Sequence, residues 1–112
     1  SDSMGYIDIK KIIGTKYILK IPDTEAKRIR NIDPAIIDKI IDKMIPYVDI
    51  PMSMASNYHI FIYNFYPEDI LKHLDYHGIK YEVWEAQPEV VVLTGAWGKY
   101  RRINYRETKR IK

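Results

Sequence analysis

At 112 residues the chain is long enough for one hydrophobic core and too short for two, and 46% hydrophobic with 29% charged residues excludes disorder of the whole chain. The absence of cysteine excludes disulfides, thiolate metal sites and cysteine nucleophiles. Charge is unevenly placed: from 98 to 112 seven cations meet one anion, Glu107, so this end carries +6 and residues 1–97 carry −3 of a total of +3.

No run approaches the roughly 18 apolar residues of a membrane span, and the N-terminus lacks a signal-peptide pattern. The expectation is one intracellular, cytoplasmic domain over 1–112 with no membrane contact. Ser1-Asp2-Ser3 ahead of Met4 reads as a cloning remnant, and 107–112 as a basic tail. Asp8 to Gly14 (DIKKIIG) reads either as one helical turn or as a hairpin arm, and Gly14 at the left-handed position after a helix favours the turn. Thr15 to Ile21 is β-branched and aromatic enough for a strand, which Pro22 ends. Asp23 or Thr24 then caps a short helix whose Lys27, Arg28 and Arg30 lie toward its negative end, as a solvated helix end or an anion patch.

Asp33-Pro34 opens the clearest helix, with Asp33 as N-cap and Pro46 beyond the end. Ile36, Ile37, Ile40, Ile41, Met44 and Ile45 make its apolar stripe, opposite Asp38, Lys39, Asp42 and Lys43. Pro46 to Asn57 is a long irregular segment in which Met52 and Met54 form a second candidate contact for a partner. Tyr58 to Asn64 is apolar or aromatic on both faces, which predicts a central strand with His59 as a core residue. A helix follows from Pro67 to a Schellman ending at Gly78, with Ile79 over Leu74. Asp69, His73 and His77 stand four apart along its edge, a spacing that can hold a metal, but no second ligand cluster accompanies them and no metal site is read.

Lys80 to Ala86 and Val90 to Trp97 read as strands separated by a Gln87-Pro88-Glu89 turn, the second of them an inner one. After a Gly98-Lys99 turn, Tyr100 to Arg106 alternates Tyr100, Arg102, Asn104 and Arg106 with Arg101, Ile103 and Tyr105, an outer strand with one basic face. The predicted fold is a single α+β domain: an approximately five-stranded, mostly antiparallel sheet with a C-terminal three-strand meander and its two main helices on one face.

No nucleophile with its base, phosphate-cradling glycine loop or paired-carboxylate site has supporting context, so neither a catalytic residue nor a cofactor is implied. Four of the six arginines fall in the last fifteen residues, and arginine suits bidentate contacts to phosphate. The favoured function is therefore a small non-enzymatic module for RNA or single-stranded DNA. In it Lys99, Arg101, Arg102, Arg106, Lys109 and Arg110 neutralise phosphates while Trp97, Tyr100 or Tyr105 stack on bases. The alternative is a regulator or inhibitor, able to form a homodimer, that docks the same residues on an acidic protein surface. The segment EVVVLTGAWGKYRRINYRETKRI also resembles the C-terminal strands and basic tail of RelE-type ribosome-dependent ribonucleases, over barely a fifth of the chain. That resemblance implies Lys99, Arg101 or Arg102 at the phosphate and Tyr105 near the 2′-hydroxyl. It departs upstream, where the family has a helical hairpin and this chain places a helix and a strand.

Overall fold

The computed structural model describes residues 13–45 and 57–112, without the side chain of Tyr100. The helical turn expected over 8–14 and the Met52–Met54 segment fall essentially outside these residues. The elements are β1 (Lys16–Pro22), α1 (Asp23–Ile32), α2 (Pro34–Asp42), β2 (Tyr58–Tyr63), α3 (Glu68–Tyr76), β3 (Glu82–Gly95) and β4 (Gly98–Arg110). They form the expected α+β architecture, an antiparallel sheet in the order β2-β1-β3-β4.

Local chemistry explains the helix boundaries. Asp33 serves two helices at once: its N–H closes α1 on the Ile29 carbonyl (2.9 Å), and its carboxylate accepts from the Ala35 N–H (3.0 Å) to open α2. Pro34 forces that break, since the residue before a proline avoids helical dihedrals. The cap expected of Asp23 or Thr24 is not made: Pro22 occupies the cap position of α1 without a side-chain cap bond, and Asp23 and Glu25, inside the first turn, complement the helix dipole instead. At the end of α3 Gly78 has φ +64°, the Ile79 N–H reaches the Leu74 carbonyl (2.9 Å), and the Gly78 N–H reaches that of Asp75 (3.0 Å). This is the predicted Schellman ending.

All three helices lie on one face of the sheet. Leu19 and Ile21 of β1, Tyr63 of β2 and Val83 of β3 meet Ile29, Ile36, Ile40, Leu71 and Leu74 there. The Tyr63 hydroxyl, sealed in this core, donates to the Ile40 carbonyl at 2.8 Å, and burial holds its pKa well above the ordinary phenol range. On the far face Ile18, Ile62, Ala86 and Tyr105 form a smaller cluster with Ile45, Ile60, Trp84 and Ile103. Ile41, expected in the α2 stripe, is 48% exposed, because the stripe actually buried is narrowed to Ile36 and Ile40.

Three strand expectations are corrected. β2 is an edge strand, not a central one; its two apolar faces are both used, by the helices on one side and by the far-face cluster on the other, where Ile45 also donates its N–H to the Ile62 carbonyl (2.7 Å). The turn expected at Gln87-Pro88-Glu89 is extended backbone, so two of the predicted strands are one β3 and the meander is a single long hairpin. Pro88 is tolerated because the β1 ladder ends at Lys16↔Ala86, and a missing N–H costs least on a strand with one neighbour. The hairpin turn itself is Ala96-Trp97, two residues earlier than expected, closed by Gly98 at φ +110°.

Nothing lies within 4 Å of a Cβ built at Gly78, so the cost of substitution there is conformational alone. Gly78→Ala is expected to destabilise by about 1–2 kcal/mol, with Val costing more; equal urea midpoints for Ala and wild type would contradict the helix ending. Ile40→Ala and Leu74→Ala, at fully buried positions, are each expected to cost about 2–5 kcal/mol in urea unfolding.

Candidate nucleic-acid interface

β1 pairs with β3 only from Glu82 to Ala86, whereas β3 pairs with β4 all the way to Gly95↔Gly98. From Gln87↔Arg106 outward the hairpin is therefore a two-stranded arm, with no third strand among the described residues. The arm accounts for a radius of gyration of 15.5 Å, above the roughly 13 Å of a compact domain this size, and for a long axis of 46 Å against 27 and 25 Å. Between Gln87 and Arg106 it carries four cations, Lys99, Arg101, Arg102 and Arg106, and one anion, Glu89.

The register sorts these side chains. Thr94↔Lys99, Val92↔Arg101, Val90↔Ile103 and Pro88↔Tyr105 share the far face, while Arg102, Asn104 and Arg106 share the helical face, as the alternation predicts. Lys99 and Arg101 are exposed and make no ion pair among the described residues. Arg102 is half-buried, donating to Asn104 Oδ1 at 3.4 Å, and Arg106 lies 4.0 Å from Glu89. Trp97 stands fully exposed in the turn. Tyr100 pairs with Leu93 in the backbone register.

Tyr105 must be withdrawn from the stacking set. Its ring is only 7% exposed, packed in the far-face cluster, and burial raises its hydroxyl pKa. Neither base stacking nor the 2′-hydroxyl role implied by the ribonuclease resemblance suits a ring held there. The supposed basic tail is sheet as well: β4 runs to Arg110, and the Ile111 and Lys112 N–H groups both reach the Val83 carbonyl. Lys109 is exposed opposite Glu85.

A β-bulge decides where Arg110 goes. Glu85 pairs with Lys109 but Ala86 with Glu107, leaving Thr108 as the extra residue, its hydroxyl on the Glu85 carbonyl (3.3 Å). The one-residue shift moves Arg110 to the far face opposite Trp84, 3.9 Å from Glu82. Glu82 also accepts from Trp84 Nε1 (2.9 Å) and the Tyr58 hydroxyl (3.0 Å), and nearby Lys20 pairs with Glu107 and lies over the Trp84 ring. The indole hydrogen bond, with smaller help from Tyr58, Arg110 and Lys20, holds the Glu82 carboxyl below its ordinary range against the opposing effect of burial. Arg110 and Lys20 are thus committed to the body, and Lys112 likewise to Asp75 (3.2 Å) and the Tyr81 ring.

Other candidate sites are occupied or balanced. Arg28 donates to Glu25 (2.9 Å) and to the His77 carbonyl (3.3 Å), tying α1 to the end of α3. His73 Nε2 meets Lys39 Nζ at 2.8 Å, and among the described residues no three His, Asp or Glu side chains gather as metal ligands. His59 Nδ1 lies 2.8 Å from Asp23 Oδ1, near enough for ion pairing but off the angle of a hydrogen bond. A cleft of about 390 Å³ beside α2, lined by Lys39, Lys43, Phe65, Tyr66 and Glu68, has acids offsetting its lysines. Among the described residues no helix is long and apolar enough to cross a membrane.

Sequence reasoning missed the exposure of Val90 and Val92 (44% and 60%), since an apolar run normally signals an inner strand. The signal that finds them is the short β1, which cannot flank a 14-residue β3 along its whole length. Comparisons with protein-family models, with curated proteins and with solved structures find no match for the chain.

Because the folded Glu82 carboxyl titrates below its unfolded value, its contribution to stability is present above that value and is lost as pH falls through the folded pKa. Glu82→Gln is expected to lower the urea midpoint at pH 7, with the gap from wild type closing as pH drops from about 5 to 3. A gap unchanged over that range would show that shape, not charge, holds the cluster.

Proposed function

We propose that this protein binds nucleic acid through the β3–β4 arm. The observation that carries the reading is the pairing of Lys99 and Arg101, both exposed and without an ion pair among the described residues, with a fully exposed Trp97 on a projecting hairpin. Phosphate neutralisation by such cations releases counterions and drives binding of any sequence, and an exposed indole adds stacking on a base or packing on a sugar. Arg102, Arg106 and Lys109 add positive charge on the opposite face of β4, while Arg110 contributes less because Glu82 holds it. The rest of the chain has no net charge, so the excess of +3 lies on the arm and attraction for a polyanion centres on the hairpin.

A second reading is favoured by a specific feature of the same arm. Exposed Trp97 and Arg101 are of the residue types enriched at protein hot spots, and exposed Val90 and Val92 add apolar surface to the arm, so an acidic protein, or a second copy of the chain, is the competing partner.

Oligonucleotide binding measured by fluorescence anisotropy across a salt series, beside solution mass, separates the two. Lys99→Gln, Arg101→Gln and Arg102→Gln combined are expected to flatten the log–log salt slope by about 2–3. The Lys99→Gln and Arg101→Gln changes by themselves are expected to leave Tm within a few degrees, since exposed charges contribute little to folding. Wild-type protein that ignores oligonucleotides at low salt would overturn the proposal in favour of a protein partner.

A further inference from the structure

We propose that the arm enters the major groove of double-stranded DNA with its far face toward the base edges, an assignment that rests on the nucleic-acid reading above. The first support is shape. From Gln87↔Arg106 to Gly95↔Gly98 the arm is a two-stranded antiparallel ribbon reaching roughly 25 Å beyond the sheet at about 3.3 Å per residue. The major groove, about 12 Å wide, admits a two-stranded ribbon; the major groove of an RNA duplex is too deep and narrow for side chains to read.

The second support is where the charge stands. All four cations of the arm are on β4, whose outer edge has no strand partner among the described residues, so this strand follows one phosphate wall. Arg101 and Lys99 project from the far face, with no anion on the arm opposite them: their cross-strand neighbours are Val92 and Thr94. Val90 and Val92 present exposed methyl groups on that face, the kind of surface that packs on a thymine methyl, while Arg101 beside them has the planar fork that reads guanine O6 and N7. Arg102 and Arg106 project from the opposite face of the same strand, a placement suited to phosphates above the groove floor.

The third support is what the far face of the arm carries, among the described side chains, in place of stacking rings. Sequence-tolerant binding of an unpaired strand needs aromatic rings spaced along a cationic track. Tyr105 is packed away in the far-face cluster, and among the described side chains of the arm Trp97, at the tip, is the exposed aromatic; the open face offers valines in its place. Valines read groove edges; they do not stack on splayed bases.

The test uses the full chain and a fluorescent duplex DNA of about two helical turns. Its two single strands and the duplex RNA of the same sequence are measured beside it, as is competition by methyl green in the major groove and netropsin in the minor groove. Duplex DNA is expected to bind about tenfold more tightly than either strand or the RNA duplex, and methyl green alone is expected to displace the protein. Arg101→Gln and, separately, Val92→Asp are each expected to lose about tenfold in duplex affinity with an unchanged Tm. Single-stranded DNA or duplex RNA bound as tightly as duplex DNA, displacement by netropsin, or full affinity in both variants would overturn the groove assignment and leave the nucleic-acid reading standing. Failure to bind any of the oligonucleotides at low salt overturns both.

Discussion

The sheet is organised by a mismatch in strand length. β1 has seven residues and lies between β2 and β3; β3 has fourteen and pairs with β1 over only its first five. Hydrogen-bond demand along β3 is met by β4 alone beyond Ala86, so the hairpin continues outward as a ribbon. An isolated two-stranded hairpin is marginal in water. Here the root of the ribbon is clamped, with Ala86 and Tyr105 buried on the far face and the Gln87 side chain donating to Thr15 Oγ1 at 3.1 Å. The arm is consequently anchored at its base and open at its tip.

Charge follows the same division. Where β4 runs beside the body most charges there are paired, Arg110 near Glu82, Lys112 just past the strand on Asp75, and Glu107 with the β1 residue Lys20, while Lys109 stays exposed. Toward the turn, where β4 runs beside β3 alone, residues 99 to 102 face Thr94, Leu93, Val92 and Val91, and Lys99 and Arg101 have no acid opposite them, although nearer the root Arg106 lies 4.0 Å from Glu89. Pairing of half-buried charges limits the desolvation cost at the root of the hairpin, whereas at its far end solvent does that work until a partner displaces it. The cations at the two ends of β4 therefore play different parts, although they look alike in a composition count.

Much of the body was legible from residue order. Asp33-Pro34, the spacing of Ile36 and Ile40, and the Gly78–Ile79 ending each carry a local physical signature within a few residues, and the structure repeats them. The alternation that puts Arg102 and Arg106 on one side of β4 and Arg101 on the other was legible for the same reason, since side-chain direction in a strand has a fixed period of two. The reading went astray where a residue pattern has two tertiary meanings. Apolar character on both faces suggested a central β2, yet helices on one side and the Ile45 cluster on the other give an edge strand the same need. A proline beside two polar residues suggested a turn, yet Pro88 sits just where the third strand stops.

The sequence by itself determined the α+β class, the Asp33 cap and the Gly78 helix ending, the two-sided character of β4 and the concentration of positive charge at the C-terminal end, because each depends on neighbours along the chain. Only the tertiary structure decided that Tyr105 is interior, that Arg110 crosses to the far face, and that Val92, Trp97 and Arg101 stand together on a projecting hairpin. Those outcomes depend on a bulge at Thr108 and on the place where β1 ends relative to β3, both set by pairing between segments some seventy residues apart or on opposite arms of a hairpin, and no short-range pattern encodes them.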